Sequence, residues 1–149
     1  METPLVRDVL LGLKSPRFRE DVFLSTRPTL DLDVSFLVGV LSDPRAPRAK
    51  GKRTLRAITL GQGMFYHECA AFLPKEHFSS LWHIQALLWQ ERHDSIGYLM
   101  RNGHSNVFLL SEKRAVNLYF NQHHQFRVSG WVGEGFYLNR GDCLFYPIL

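Results

Sequence analysis

The stretch from Asn106 to Pro147 constrains the fold more than any other part of the chain. Short apolar runs recur there about every ten residues, and polar residues or glycines separate them. The runs are NVFLL, AVNLYF, QFRVSGWV, FYL and CLFYP. This even spacing is typical of an antiparallel meander, in which consecutive strands pair as hairpins. The sequence therefore predicts roughly four or five short antiparallel strands in this region.

The region from Pro74 to Gly103 has helical spacing instead. One broad apolar face contains Phe78, Leu81, Trp82, Leu88 and Trp89. Pro74 suits a first helical turn, and Gly103 suits the position that ends a helix. The pattern predicts one long helix, or a helical hairpin if Gly97 interrupts it. Together with the meander, this predicts an α+β fold in which an antiparallel sheet packs against that helix or hairpin.

The first third of the chain gives weaker patterns. Leu5, Val9 and Leu13 recur every four residues, which predicts a short N-terminal helix. Val22–Leu24 is an apolar run in an otherwise irregular connection, and we interpret it as a strand. Leu30–Leu41 begins with alternating apolar residues and then becomes continuously apolar, so a strand and a helix are equally compatible with it.

Residues 54–73 suggest a pair of strands. The run TLRAITL and the aromatic-rich run GMFYHECAAFL flank a Gly61-Gln62-Gly63 turn. Glycines between two apolar runs are typical of a strand connection.

Length and composition favour a single globular domain spanning residues 1–149. Apolar residues make up 45% of the 149 residues and charged residues 21%, as in ordinary folded proteins. The longest apolar run, Val34–Leu41, is far shorter than the roughly 18 residues that a membrane span requires. The N-terminal stretch has no secretory pattern, and the chain has only two cysteines. We therefore expect an intracellular, cytoplasmic protein without a membrane partner.

A basic loop gives the strongest functional signal. Residues 43–54 contain two prolines and a glycine, and they predict a flexible segment. Six of the eighteen lysines and arginines lie in or next to it: Arg45, Arg48, Lys50, Lys52, Arg53 and Arg56. Such a cluster can neutralise phosphates or an acidic protein surface. The alternative is a solvated linker that keeps neighbouring strand edges from aggregating.

Aromatic residues could add specificity to this charge. Adjacent pairs such as Tyr119-Phe120 and Phe136-Tyr137 place one ring on each face of a strand. The second aromatic face could meet a nucleic acid, a protein, a small ligand or the main helix. We therefore predict a non-enzymatic binding module for nucleic acid or, second, an acidic protein surface. A protein-interaction or inhibitor protein that acts by surface complementarity alone is an alternative.

The histidines near the end of the chain do not predict a metal site. The closing RGDCLFYP distantly resembles a cupin barrel over fewer than about ten residues, and that resemblance implies a His-x-His pair followed closely by a glutamate. His123 and His124 are adjacent instead, so in a strand they would point to opposite faces. Glu134 is too far along the chain for that motif. We predict neither a metal nor another cofactor, and we interpret residues 122–125 as a polar hairpin turn.

An enzyme that uses Cys69 is the remaining alternative. Cys69 could act with a distant histidine such as His104 in acyl transfer or hydrolysis. That chemistry requires an exposed cysteine with a stabilised thiolate. The simpler interpretation is an inert structural thiol, so no catalytic residue is predicted.

Overall fold

The computed structural model describes residues 5–11, 16–24, 30–71, 73–93, 98–133 and 135–148. Its strands are β1 (Leu5–Leu10), β2 (Leu30–Leu32), β3 (Thr54–Thr59), β4 (Met64–Phe65), β5 (Asn106–Ser111), β6 (Arg114–Phe120), β7 (Phe126–Val132), β8 (Tyr137–Leu138) and β9 (Cys143–Pro147). Its helices are α1 (Glu20–Leu24), α2 (Val34–Phe36), α3 (Tyr66–Ala70) and α4 (Leu81–His93), and a π-helical turn, Leu37–Leu41, follows α2.

Seven strands form the main sheet, in the order β1-β3-β9-β5-β6-β7-β2. Most neighbours are antiparallel, but β5 and β9 are parallel, and so are β2 and β7. The prediction of an α+β fold is confirmed, whereas the sheet is mixed and not purely antiparallel.

The predicted meander exists for three of its strands. β5, β6 and β7 pair consecutively and antiparallel, with Asn106 opposite Leu118 and Leu118 opposite Val128. β8 then leaves the main sheet and pairs with β4. β9 returns between β3 and β5, antiparallel to β3. β9 runs parallel to β5, and parallel neighbours require a crossover connection and not a hairpin.

Two assignments in the first third were wrong. The predicted N-terminal helix is strand β1, in which Val9 is buried and its neighbour Leu10 is exposed. This alternation is the strand period, and Leu13 of the helical pattern lies outside the described residues. The predicted strand at Val22–Leu24 belongs to helix α1, whose first turn carries two acidic residues that favour a helix N-terminus.

The ambiguous stretch from Leu30 to Leu41 contains both kinds of structure. Strand β2 ends before Asp33, whose side chain accepts a hydrogen bond from the Ser35 N–H at 3.0 Å and caps α2. Helix α2 and the π-helical turn after it lie against β7 where β7 has a glycine. A Cβ atom on Gly130 would lie 2.7 Å from the Ser35 carbonyl oxygen, so this close approach requires glycine.

The strands predicted around Gly61 to Gly63 exist, but they do not pair with each other. β3 belongs to the main sheet, while β4 has two residues and pairs with β8. The chain turns at once into helix α3, so most of the predicted second strand is helical or irregular.

The predicted long helix is not present in the described residues. α4 has 13 residues and begins at Leu81, well after Pro74. Gly103 has a φ of 86°, but it lies in the connection to β5, well beyond His93. None of the helices in the described ranges is long and apolar enough to cross a bilayer.

The sheet buries both of its faces. The first face packs against α4, α1 and α2, and its fully buried rings are Phe23, Phe36, Phe108, Phe126 and Phe145. The second face packs against α3, β4 and β8, and its cluster includes Tyr66, Cys69, Phe136, Leu138 and Tyr146. The second aromatic face expected from the sequence is thus largely covered by the chain itself.

Candidate functional site

Two of the six predicted binding cations have structural roles. The Arg48 guanidinium donates to the carbonyls of Asp43 and Ala46, at 2.9 and 2.8 Å, and to that of Leu41. These carbonyls lie at or just beyond the end of the π-helical turn, where backbone acceptors lack partners within the helix. Arg53 likewise donates to the Leu11 carbonyl, at 3.0 Å. Both side chains hold the backbone in place and have fewer donors left for a ligand.

The backbone of the basic segment is attached to the beginning of α4. The Pro47 carbonyl accepts the Leu81 N–H at 2.9 Å. The Ala49 carbonyl accepts the Ser80 hydroxyl at 2.8 Å. These bonds satisfy groups at a helix start that would otherwise lack partners. The flexibility predicted for residues 43–54 stays a prediction, and these contacts oppose it at two points.

A third attachment uses a buried histidine. His83 accepts the Ser80 N–H at Nδ1, at 2.9 Å, and donates from Nε2 to the Lys52 carbonyl at 2.8 Å. The two bonds require the neutral ring with its proton on Nε2. Burial lowers the pKa of His83, and the bond to Lys52 opposes this effect only in part. Gly51 lies directly against the ring, where a Cβ atom would approach Cε1 to 2.7 Å.

The other cations lie at the surface. Three of them pair with carboxylates: Arg45 with Asp43 at 3.2 Å, Lys52 with Glu76 at 3.5 Å, and Arg56 with Asp8 at 2.9 Å. Lys50 is exposed and makes no hydrogen bond or ion pair with the described residues. Exposed pairs contribute only about 0–1 kcal/mol, so a partner can compete for these cations. Arg45 is the most exposed of the paired ones, at 77% of its side chain.

An exposed apolar surface lies beside Arg45. We call it the valine patch, and it consists of Val34, Leu37, Val38 and Val132. Val34 and Val38 are each 68% exposed and Val132 is 60% exposed. The π-helical turn packs closely on β7 at Gly39, where a Cβ atom would lie 2.9 Å from Cγ2 of Val132.

Arg114 connects the valine patch to Arg45. Its guanidinium donates to the Gly39 carbonyl at 3.4 Å and forms an ion pair with Asp43. Asp43 also accepts hydrogen bonds from the Arg45 side chain and backbone, and these bonds lower the pKa of Asp43. The carboxylate therefore stays ionised and holds both guanidinium groups at the edge of the patch.

A pocket of about 580 Å³ opens on the covered second face. It is lined by Tyr66, His67, Ala70, Glu112, Lys113 and Gly135. The Tyr66 hydroxyl donates to Nε2 of His77 at 2.9 Å, and His77 donates from Nδ1 to the Pro74 carbonyl at 2.7 Å. The hydroxyl of Tyr66 therefore has its hydrogen-bond partner inside the fold. Its ring is the part of the side chain that can border the pocket.

Three exposed rings lie at the edge of this pocket. Phe65 and Tyr137 face each other across β4 and β8, with ring centroids 4.9 Å apart. His67 stacks on Phe65 at 5.7 Å and also lines the pocket. We call these three side chains the aromatic shelf. Phe65 and Tyr137 belong to the aromatic surface predicted from the sequence, and Tyr119 is another exposed ring of that prediction.

The structure does not support a reactive Cys69. Its side chain is buried in helix α3, and burial raises the pKa of its thiol to about 11. Cys69 makes no hydrogen bond with a histidine among the described residues. His104 lies elsewhere, 3.8 Å from the Asp142 carboxylate. Cys143 is also buried, and burial raises the pKa of its thiol to about 11 as well.

The paired histidines lie in the turn between β6 and β7. The His123 N–H donates to the Asn121 side chain at 2.9 Å, and His124 has a φ of 59°. These are the features of a polar turn. Within the part of the chain that the structure describes, no group of three or more His, Cys, Asp or Glu side chains could hold a metal ion.

Neither a family model, nor a curated protein, nor a solved structure matches this chain.

Proposed function

We propose that this protein is a non-enzymatic binding module that docks an acidic, amphipathic segment of another protein. The apolar side of that segment lies on the valine patch, and its carboxylates meet Arg45. The continuity of this surface supports the proposal, because Asp43 and Arg114 join the most exposed of the paired guanidinium groups to the exposed valines. Exposed apolar patches with a charged rim are typical of protein interaction sites.

A protein partner suits this surface better than nucleic acid. Binding to a phosphate backbone depends on several cations that release counterions together. Arg48 and Arg53 are occupied by backbone carbonyls, which leaves Arg45, Lys50, Lys52 and Arg56 at the surface. Valine side chains also cannot stack on bases as aromatic rings do. Nucleic acid is therefore the alternative partner, and the experiment must be able to detect its binding.

An inhibitor that acts through the same surface would belong to this proposal. The cysteine-dependent hydrolase or acyl transferase is less well supported, because Cys69 is buried and its thiol is protonated at neutral pH. Two free thiols suit a reducing compartment, so we place the module in the cytoplasm.

A fluorescence anisotropy titration tests the proposal. The probe is a labelled helical peptide of about 16 residues, with leucines on one face and glutamates beside them. A scrambled peptide of the same composition and a single-stranded oligonucleotide serve as comparison ligands, each at two salt concentrations. We expect the helical peptide to bind most tightly and to weaken as salt rises, because charge contributes to its binding.

Matched variants locate the contact. Val38→Asp and Arg45→Glu should each weaken peptide binding by about tenfold. Val6→Asp and Arg19→Glu make the same changes at exposed positions of β1 and near α1, and they should leave binding unchanged. Equal losses of peptide binding in the two patch variants and in the two control variants would contradict the proposal. Tighter binding of the oligonucleotide than of the peptide would favour nucleic acid as the partner.

A further inference from the structure

The pocket on the second face combines aromatic walls with a carboxylate. Tyr66 and His67 supply ring surfaces, and the aromatic shelf extends them outward through His67. Glu112 lies at the other side, in the turn between β5 and β6. Ala70 has only a methyl group and Gly135 has no side chain, so they leave the space between these walls open.

The pocket wall offers a carboxylate to a cationic ligand. Glu112 is exposed, and its carboxylate makes no hydrogen bond or ion pair with the described residues. Lys113 also lines the pocket, but it already has an interaction partner. Burial raises the pKa of the Tyr66 hydroxyl, and the negative charge of Glu112 raises it further, so the carboxylate acts on the pocket wall.

We propose that this pocket binds a quaternary ammonium group, with the Glu112 carboxylate balancing the charge and the rings of Tyr66 and His67 facing the methyl groups. Aromatic faces attract cations, and a methylated ammonium loses little hydration when it enters such a site. Two sources carry this group, the side chain of a trimethylated lysine and the choline headgroup. The valine patch is a neighbour of this pocket, because its Val132 pairs with Arg114, which follows Lys113 in the chain. The pocket nevertheless does not depend on the function proposed above.

A nuclear magnetic resonance titration tests the site. Choline and an acetylated trimethyllysine amide are added to the labelled protein, and the amide signals of Ala70 and Gly135 report on the pocket. Dimethylbutanol, the neutral carbon isostere of choline, is the matched ligand control. We expect both cations to shift these signals and dimethylbutanol to bind at least about tenfold more weakly. Tighter binding of one cation identifies the source.

Three variants separate a cation site from a simple apolar pocket. Glu112→Gln should weaken choline binding by about tenfold, and His67→Ala by about fivefold. Asp21→Asn removes a charge from α1, on the other side of the sheet, and should have no effect. Val38→Asp should also leave choline binding unchanged, so failure here is distinct from failure at the valine patch. Equal binding of choline and dimethylbutanol, or unchanged binding by Glu112→Gln, would overturn the proposal.

Discussion

The two faces of the sheet are covered in different ways. The first face packs against α4 and buries rings such as Phe108 and Phe145, which stack with centroids 4.9 Å apart. The second face packs against two short strands and a helix of five residues. Its cover includes a buried bond between Tyr66 and His77 and leaves an open pocket. The pocket therefore lies where packing is less complete.

This difference suggests a division of roles. A continuous apolar layer on the first face supplies most of the hydrophobic stabilisation, since that term scales with buried apolar area. A cover of short elements tolerates an open cavity more easily. Substitutions on each of the two faces test this contrast.

Truncating one ring on each face should give unequal losses. Phe108→Ala removes a fully buried ring and should reduce the free energy of unfolding by about 4 kcal/mol. Phe136→Ala removes a ring that borders the more open face, and about 2 kcal/mol is expected because neighbouring rings can shift. Urea unfolding monitored by circular dichroism measures both. An equal or larger loss for Phe136→Ala would contradict the division of roles.

Adding one methyl group to a glycine on each side should also have unequal effects. In Gly130→Ala the new Cβ meets the backbone of α2, and a loss of about 1–3 kcal/mol is expected. In Gly63→Ala the Cβ meets only the exposed ring of Tyr137, which can rotate away. The difference between the two thermal midpoints checks this expectation. A larger loss for Gly63→Ala would show that the second cover is the more rigid one.

Acid should destabilise the first face through His83. Its pKa in the folded protein is lowered from 6.5, so the unfolded chain takes up this proton first as the pH falls below 6.5. Stability is therefore present above that pH and is lost as the pH decreases towards the folded pKa, by up to about 1.4 kcal/mol per pH unit.

A glutamine variant isolates this effect in urea titrations between pH 7 and 5, with the unchanged protein as the reference. Glutamine at position 83 can still accept the Ser80 N–H as in a capping box, so His83→Gln should reduce the pH slope. A slope that survives in His83→Gln would assign the effect to another group.

Thiol labelling should show the smallest contrast. Cys143 belongs to the cluster of the first face and Cys69 to that of the second. Because burial raises both pKa values to about 11, each thiol should react slowly in the folded protein at pH 8. We expect Cys69 to react faster than Cys143, as measured with single Cys→Ser variants. Rapid labelling of Cys69 at pH 6 would instead support the cysteine-dependent enzyme.

Local patterns in the sequence predicted what depends on neighbours in the chain. The runs around Phe108, Leu118 and Val128 alternate and are followed by turns, so β5, β6 and β7 could be predicted. The pairing of β9 with β3 and β5 could not, because it depends on residues that are distant in the chain. β1 was predicted as a helix because its apolar residues satisfy both periods, and only pairing with β3 decides between them.

The candidate site was only partly predictable. The cluster from Arg45 to Arg56 was visible in the sequence, but which arginines bind backbone carbonyls depends on the folded chain. The valine patch was missed because a strand and a helix were equally compatible with Leu30–Leu41, so the sequence did not show which of its apolar side chains are exposed. The beginning of α4 did have a signal in Ser80-x-x-His83, in which a histidine replaces the usual Glu or Gln of a capping box.

The central position of β9 affects how the chain can fold during synthesis. Among the described strands, β1 and β3 connect to the rest of the main sheet only through β9, which comes after all of them along the chain. Until residues 143–147 leave the ribosome, β3 exposes an unpaired edge to other nascent chains. Completion of the sheet must await this strand, so folding should be slow and governed by its late insertion.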